Sequence, residues 1–185
     1  MELFFNRCSL RFFCGSIAWV LLYLNIPIGI VAFLTVGSMI LLTGGLHEDG
    51  LADMADGVGG GKSADEKIAI MRDSQIGTYG ALSLIFMLGM KVTAIDIILN
   101  NHTILVCIIS LVISGALSRL SMVTVAFLFE NASKTGLGHF AGKPTLNSIV
   151  MPLIILTLIS LLLLPILKLS IIILLCVLTT SVIGK

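Results

Sequence analysis

Apolar residues run in long blocks along this chain, interrupted by one extended polar stretch between His47 and Gly80. A helix needs ~20 predominantly apolar residues to cross the hydrocarbon core of a bilayer. Six blocks approach that length, at 12–26, 28–46, 80–99, 103–129, 149–167 and 169–184. The pattern predicts an all-α fold, a polytopic transmembrane helical bundle of about six spans with a cytoplasmic acidic active-site loop over 47–79. Pro27 separates the first two blocks, because proline cannot continue a helical hydrogen-bond ladder. Pro165 and Lys168 mark a similar break, and either broken pair can also be read as a helical hairpin. Arg7 and Arg11 before an apolar run have the look of a signal peptide, but such runs recur along the chain, so the first is read as a membrane segment. Residues 1–185 then form a single integral membrane domain.

Composition sharpens this picture. The chain is 57% hydrophobic and 11% charged, where soluble domains carry about 25% charged residues, and its mean hydropathy is +1.13. The expected partner is therefore the lipid bilayer. A net charge of +1 argues against nucleic acid, which demands clustered Lys and Arg. A homo-oligomer is compatible with the sequence. Cys8, Cys14, Cys107 and Cys176 are scattered, without Cys-x-x-Cys spacing, and read as small buried hydrophobes.

With six spans, one side of the membrane holds Arg7, Arg11, Lys62, Lys67, Arg72, Lys134, Lys143 and Lys185, and the other holds only Lys168. Cations concentrate on the cytoplasmic side. The expected setting is thus the cytoplasmic (inner) membrane of the cell, multi-pass, with the 47–79 and 130–148 loops facing the cytoplasm.

Of the acidic residues, Glu48, Asp49, Asp53, Asp56, Asp65, Glu66 and Asp73 crowd into one short region of an otherwise oily chain. Asp49, Asp53 and Asp56, at i, i+4 and i+7, fall within about 60° of one another on a helix. Carboxylates stacked in this way repel unless a cation lies between them, and an all-oxygen set suits Mg²⁺ or Mn²⁺. A solvated acidic face is the bland alternative, but it would not require Gly50, Ala52, Ala55 and Gly57 between the acids. His47 opens the motif, where it can position a substrate, act as general acid or base, or end the span at headgroup level.

Gly57 to Ser63 superficially resembles a phosphate-binding loop, but Asp56 stands where the first glycine belongs. It is read as a flexible linker. Ser63-Ala64-Asp65-Glu66 matches a capping box that opens a short helix through Arg72, with Ile68 and Met71 toward the membrane or the core. In the following turn Arg72 can clamp a phosphate, Asp73 can add a metal ligand or a base, and Ser74, Thr78 and Tyr79 can donate hydrogen bonds. Tyr79 alone also fits an interface anchor. Lys91, Asp96 and Arg119 fall inside predicted spans, where charges are costly and point to function; Lys91 and Arg119 can offer positive charge to a pyrophosphate, and Asp96 lies near the end of its span. Residues 130–148, with Glu130, Lys134, Gly136, Gly138, His139, Gly142 and Lys143, read either as a lid or substrate-contact loop or as a connector.

Gly44-Gly45-Leu46-His47-Glu48-Asp49-Gly50-Leu51-Ala52-Asp53-Met54-Ala55-Asp56-Gly57, followed by Ile70-Met71-Arg72-Asp73-Ser74-Gln75-Ile76-Gly77-Thr78-Tyr79-Gly80, closely resembles the cobalamin synthase family. Weaker likenesses are Ser118-Arg119-Leu120 and Gly136-Leu137-Gly138. The resemblance implies a Mg²⁺-dependent adenosylcobinamide-GDP ribazoletransferase. Such an enzyme joins adenosylcobinamide-GDP to α-ribazole or its 5′-phosphate, giving adenosylcobalamin or its 5′-phosphate and GMP. It also implies catalytic roles for His47, Asp49, Asp53, Asp56 and Asp73, with the four aspartates as metal ligands. Arg72, Ser74, Thr78, Tyr79, Lys91 and Arg119 would then contact substrate. Members run past this length and carry a Gly-x-Thr-Gly-Asp-type segment after the last spans, so the resemblance leads one to expect a chain truncated at its C-terminus, also short of a leading N-terminal segment, and poor in turnover.

CDP-alcohol phosphotransferases share related spacing, but the chain lacks their Ala-Arg pair and later Gly-x₃-Asp-x₃-Asp pattern. A cation transporter would place carboxylates near the bilayer midplane. The topology is directly testable. In an otherwise cysteine-free chain, Lys62→Cys and Lys134→Cys are expected to react with a membrane-impermeant thiol reagent only after cells are opened, and labelling of either from outside intact cells would reverse the orientation.

Overall fold

The computed structural model describes residues 2–128, with side-chain surroundings from residue 9 onward. Six α-helices make up this part: α1 (Glu2–Tyr23), α2 (Ile28–Thr43), α3 (Leu46–Gly60), α4 (Ala64–Met71), α5 (Thr78–Asn101) and α6 (Ile104–Leu128). Among the described residues there is no strand, as the all-α expectation required. The predicted spans at 149–167 and 169–184, and the 130–148 loop, lie outside the described residues. Residues 10–109 form one compact unit, and residues 2–9 and 110–128 belong to a second.

Two of these helices, α5 and α6, are long and apolar enough to cross a membrane, and α2 with α3 makes a third only if counted as one broken span. The described residues include four of the six predicted blocks and so leave the count of six spans unconfirmed. The predicted block at 28–46 is the instructive case. Its helix stops at Thr43 after 16 residues, roughly 24 Å at 1.5 Å per residue. The N–H of Gly44 then donates to the Leu41 carbonyl and that of Gly45 to the Ile40 carbonyl, which closes the helix end with a Schellman pair of bonds. Both glycines sit at φ 68°, in the left-handed region, where a Cβ is penalised. Two such residues in succession turn the chain by 89° between α2 and α3.

The α1–α2 turn uses the same device with a different residue. Asn25 donates to the Leu22 carbonyl and Ile26 to the Leu21 carbonyl. Asn25 adopts φ 57°, a conformation asparagine tolerates better than most residues, and Pro27 then begins the next helix.

Packing centres on α5. Helix α2 packs against it, with Val31, Ala32, Thr35 and Val36 buried, and α3 also packs on it, while α4 packs on α3. Thr35 is fully buried, but its hydroxyl donates to the Val31 carbonyl one turn back. Ser83, Thr93, Ser114, Ser121 and Thr124 do likewise along α5 and α6, so these polar groups need no water. Asp96, near the end of α5, approaches the first turn of α2 at Gly29, where the positive end of the helix dipole favours a carboxylate.

Cys14 and Cys107 are buried free thiols, as read from the sequence. The α1 backbone at Gly15 comes so close to Ile108 that a Cβ there would meet its Cγ1 at 2.7 Å. Outward faces carry large apolar side chains, among them Phe12, Phe33, Ile85, Phe86 and Met90. Trp19 and Tyr23 stack with ring centroids 6.3 Å apart at the end of α1, the arrangement expected of aromatic residues at a membrane–water boundary.

Because the bend depends on left-handed backbone, Gly45→Ala should destabilise the protein by about 1–2 kcal/mol. Gly37→Ala is the control, since Gly37 lies inside α2 with open space around it and should be neutral or stabilising. Denaturant titration in detergent would compare the two, and equal effects would remove the special role of the bend.

Candidate active site

The polar stretch that reads as a loop is mostly helical. Leu46–Gly60 forms α3, which takes in the first four residues of the glycine-rich run expected to be a flexible linker; Gly61, at φ −87° and ψ 136°, and Ser63, at φ −109° and ψ 163°, are extended. Each helical glycine costs up to about 1 kcal/mol against alanine, so packing must offset the cost. A Cβ at Gly57 would meet Met71 at 2.7 Å, one at Gly59 would meet the Tyr79 ring at 2.5 Å, and one at Gly61 would meet Lys67 at 2.6 Å. The glycines are a contact surface on which α4 and the start of α5 rest.

The capping box forms as the sequence predicted. Ser63 Oγ accepts from the Glu66 N–H at 3.2 Å, and Glu66 Oε2 accepts from the N–H groups of Ser63 and Lys62 at 3.3 and 2.8 Å. Helix α4 ends at Met71 with Arg72 as its C-cap.

Asp56 has a role that spacing alone did not reveal. It is 8% exposed, and its Oδ2 accepts the Gly77 N–H at 2.7 Å while Oδ1 accepts the Gly80 N–H at 2.8 Å. Gly77 is the N-cap of α5 and Gly80 its third residue. In an ordinary capping box, side chains at those two positions exchange these bonds. Here both positions are glycine, and a carboxylate from another helix takes both donors. A Cβ at either glycine would collide with the Asp56 carboxylate, so the two glycines and the aspartate are one device.

The other acids of α3 divide in two. Glu48 Oε1 lies 3.0 Å from Lys91 Nζ on α5, with the two side chains 13% and 39% exposed. Helix α3 therefore runs antiparallel along the first half of α5, from Lys91 back to Gly77. Asp49 and Asp53 remain, the first exposed and the second half-buried. Burial pushes the Asp53 carboxyl above its ordinary value, and the nearby charges of Asp49 and Asp56 push it the same way. Asp73 is exposed in the turn after α4, where its Oδ1 accepts the Gln75 N–H at 3.1 Å. Arg72, Ser74, Thr78 and Tyr79 are exposed along the same turn and the start of α5, and His47 is exposed at the start of α3.

The structure thus brings Asp49, Asp53 and Asp56 onto one helix but gives them unlike surroundings. Among the described residues, no three His, Cys, Asp or Glu side chains converge as a ready-made metal cage. Arg119 belongs to the second unit, half-buried on α6, with Nη1 3.8 Å from Met122 Sδ. Sequence reasoning missed Glu48 and the pairing of Asp56 with Gly77 and Gly80. A lysine inside a span needs a partner, and that was the available pointer to Glu48.

The described residues define an all-helical protein with two or three membrane-capable helices and an acid-bearing helix bent off from the apolar one before it. Residues 11–185 match the sequence profile of the Cobalamin-5-phosphate synthase family, and the chain belongs to that family. It is 38% identical over 130 residues to an adenosylcobinamide-GDP ribazoletransferase of Sinorhizobium sp, covering 70% of this chain and 50% of the relative. The protein of the same name from Rhizobium meliloti (strain 1021) is 41% identical over 130 residues, with the same coverage. One from Rhizobium johnstonii is 46% identical over 88 residues, covering 48% of this chain and 34% of the relative. The chain spans about half the length of such relatives. No solved structure matches it.

The electrostatics of Asp53 give a pH test. A carboxyl whose folded pKa lies above its unfolded value of 3.8 destabilises the fold while ionised, and that cost disappears below the unfolded value. Asp53→Asn should therefore raise the melting temperature near pH 7.5 without divalent ions, and the gain should shrink towards about pH 4. A gain independent of pH would mean that the crowding of charge is not its source.

Proposed function

We propose that this chain is an integral membrane transferase of late cobalamin biosynthesis. It would carry the cobinamide-phosphate moiety of adenosylcobinamide-GDP to α-ribazole or α-ribazole 5′-phosphate. The observation that carries the reading is the sorting of acids on α3: Glu48 and Asp56 are engaged with α5, while the carboxylates of Asp49 and Asp53, one turn apart, have no hydrogen-bond or ion-pair partner among the described residues. In the reaction a ribose hydroxyl oxygen attacks the phosphorus that carries the cobinamide. A new P–O bond forms, the pyrophosphate P–O bond breaks, the hydroxyl proton leaves, and GMP departs. Such transfers depend on positioning and on neutralising charge at the phosphates.

A two-carboxylate pair fits Mg²⁺, which is commonly held by one or two carboxylates, waters and the substrate's phosphates rather than by an all-protein cage. Asp49 and Asp53 would hold it, and when bound it would supply positive charge to the pyrophosphate. Arg72 would add a fixed positive fork for phosphate oxygens, with Ser74, Thr78 and Tyr79 along the same turn as hydroxyl donors. His47, at the start of α3, is the candidate for moving the hydroxyl proton. The excess of cations flanking the polar segments supports a multi-pass protein of the cytoplasmic membrane with this site facing the cytoplasm. A lipid-forming phosphotransferase or a cation transporter is not favoured by the family.

Membranes carrying the chain should release GMP from adenosylcobinamide-GDP plus α-ribazole in a Mg²⁺-dependent way. Asp53→Asn should cut the rate by about 10²-fold or more. Asp65→Asn, at the exposed start of α4, should change it little. Equal losses from both substitutions would replace a specific site with a general acidic face.

A further inference from the structure

Glu48 is the acid on α3 whose surroundings are hardest to explain as accident. One oxygen meets Lys91 Nζ at 3.0 Å, and the other, Oε2, is buried with no hydrogen-bond partner. The pair links positions 43 residues apart and lies thirteen residues beyond the start of α5, among apolar neighbours. An ion pair in which one partner is taken out of water, as Glu48 is here while Lys91 stays 39% exposed, seldom adds much stability over a well-packed apolar pair of the same size. What it adds is position, since a charge accepts few partners and an apolar side chain accepts many.

Geometry says which position matters. Asp56 ties one end of α3 to the first turn of α5. Asp49 lies seven residues away along α3, roughly 10 Å. With the Asp56 tie alone, a swing of about 10° would move Asp49 by close to 2 Å, and misplacements of about 1 Å can already be costly in an active site. Ala52, buried between the ties, lets α3 lie close against α5, with its carbonyl 3.0 Å from where a Gly80 Cβ would stand.

We infer that Glu48 and Lys91 are a positioning pair that fixes the N-terminal end of α3 along α5 and so sets the placement of Asp49 and Asp53. This rests on the reading of those two aspartates as the divalent-cation ligands. Lys91 then acts through Glu48, and its ammonium is held at the helix interface.

The test uses the full chain in nanodiscs, with Cys8, Cys14, Cys107 and Cys176 replaced by alanine. Spin labels at Leu46→Cys and Met90→Cys, both exposed positions near the pair, report the α3–α5 distance, and Mn²⁺ titration followed by electron paramagnetic resonance reports the cation site. Glu48→Gln and Lys91→Met should each shift or broaden the distance and weaken Mn²⁺ binding roughly 10-fold or more. The charge-exchanged double variant E48K/K91E and the conservative Lys91→Arg should return both readings towards those of the unmodified pair. An unchanged distance in both single variants would overturn the proposal, and so would a changed distance with unchanged Mn²⁺ binding, since the pair would then be merely structural. If the unmodified chain takes up no Mn²⁺, the cation reading under the proposed function fails, and the distance alone decides whether the pair holds α3.

Discussion

Two backbone N–H groups at the start of α5 find their acceptors in the carboxylate of Asp56, more than twenty residues earlier in the chain. A helix N-terminus must satisfy its free donors somehow, and the local segment cannot do it, because its cap positions are glycines. Hydrogen bonds to a charged group are worth about 1.5–3 kcal/mol each, and the carboxylate also faces the positive end of the α5 dipole. Much of the surrounding structure follows. The glycines at 77 and 80 leave the space that the carboxylate fills, and α3 is held against α5. The glycine run at the end of α3 is then presented to Met71, Tyr79 and Lys67.

That anchor also explains why equally spaced acids on one helix differ in character. Asp56 is buried and doubly bonded, Glu48 is paired with a lysine, and Asp49 and Asp53 are left towards solvent. Negative charge has been fastened at both ends of the helix and left unsatisfied between them. An unsatisfied carboxylate pair one turn apart destabilises the folded chain, and such strain is common where a charged ligand is to be bound. Relatives of the chain are named adenosylcobinamide-GDP ribazoletransferases, and the role proposed for the pair is to hold a cation beside a phosphate-bearing substrate of that kind.

The double-glycine bend gives the acid helix its place beside the membrane-capable helices. An uninterrupted helix through residues 28–60 would carry the acids straight on from an apolar stretch, with no reason to return to α5. The 89° turn at Gly44 and Gly45 lets a polar helix leave the apolar one and dock back against its neighbour. Hydroxyls inside α5 and α6 are meanwhile satisfied by their own helix, so large apolar side chains can face outwards without leaving polar groups stranded.

The sequence by itself determined whatever is encoded within a few neighbouring residues. Apolar blocks at 80–99 and 103–129 became α5 and α6 with ends shifted by one or two positions, because a continuous apolar run in helix-forming residues has few other solutions. The Ser63–Glu66 capping box formed as written, and the motif around Asp49 to Gly80 identified the family. The tertiary structure alone decided that the 47–79 stretch folds as helices, that the glycine run is a packing surface, and that Glu48 joins Lys91. It alone separated Asp56 from Asp49 and Asp53. These outcomes depend on contacts between residues 6 to 43 positions apart. Periodicity can place three aspartates on one helix face, but only the neighbouring helix determines which of them loses its water.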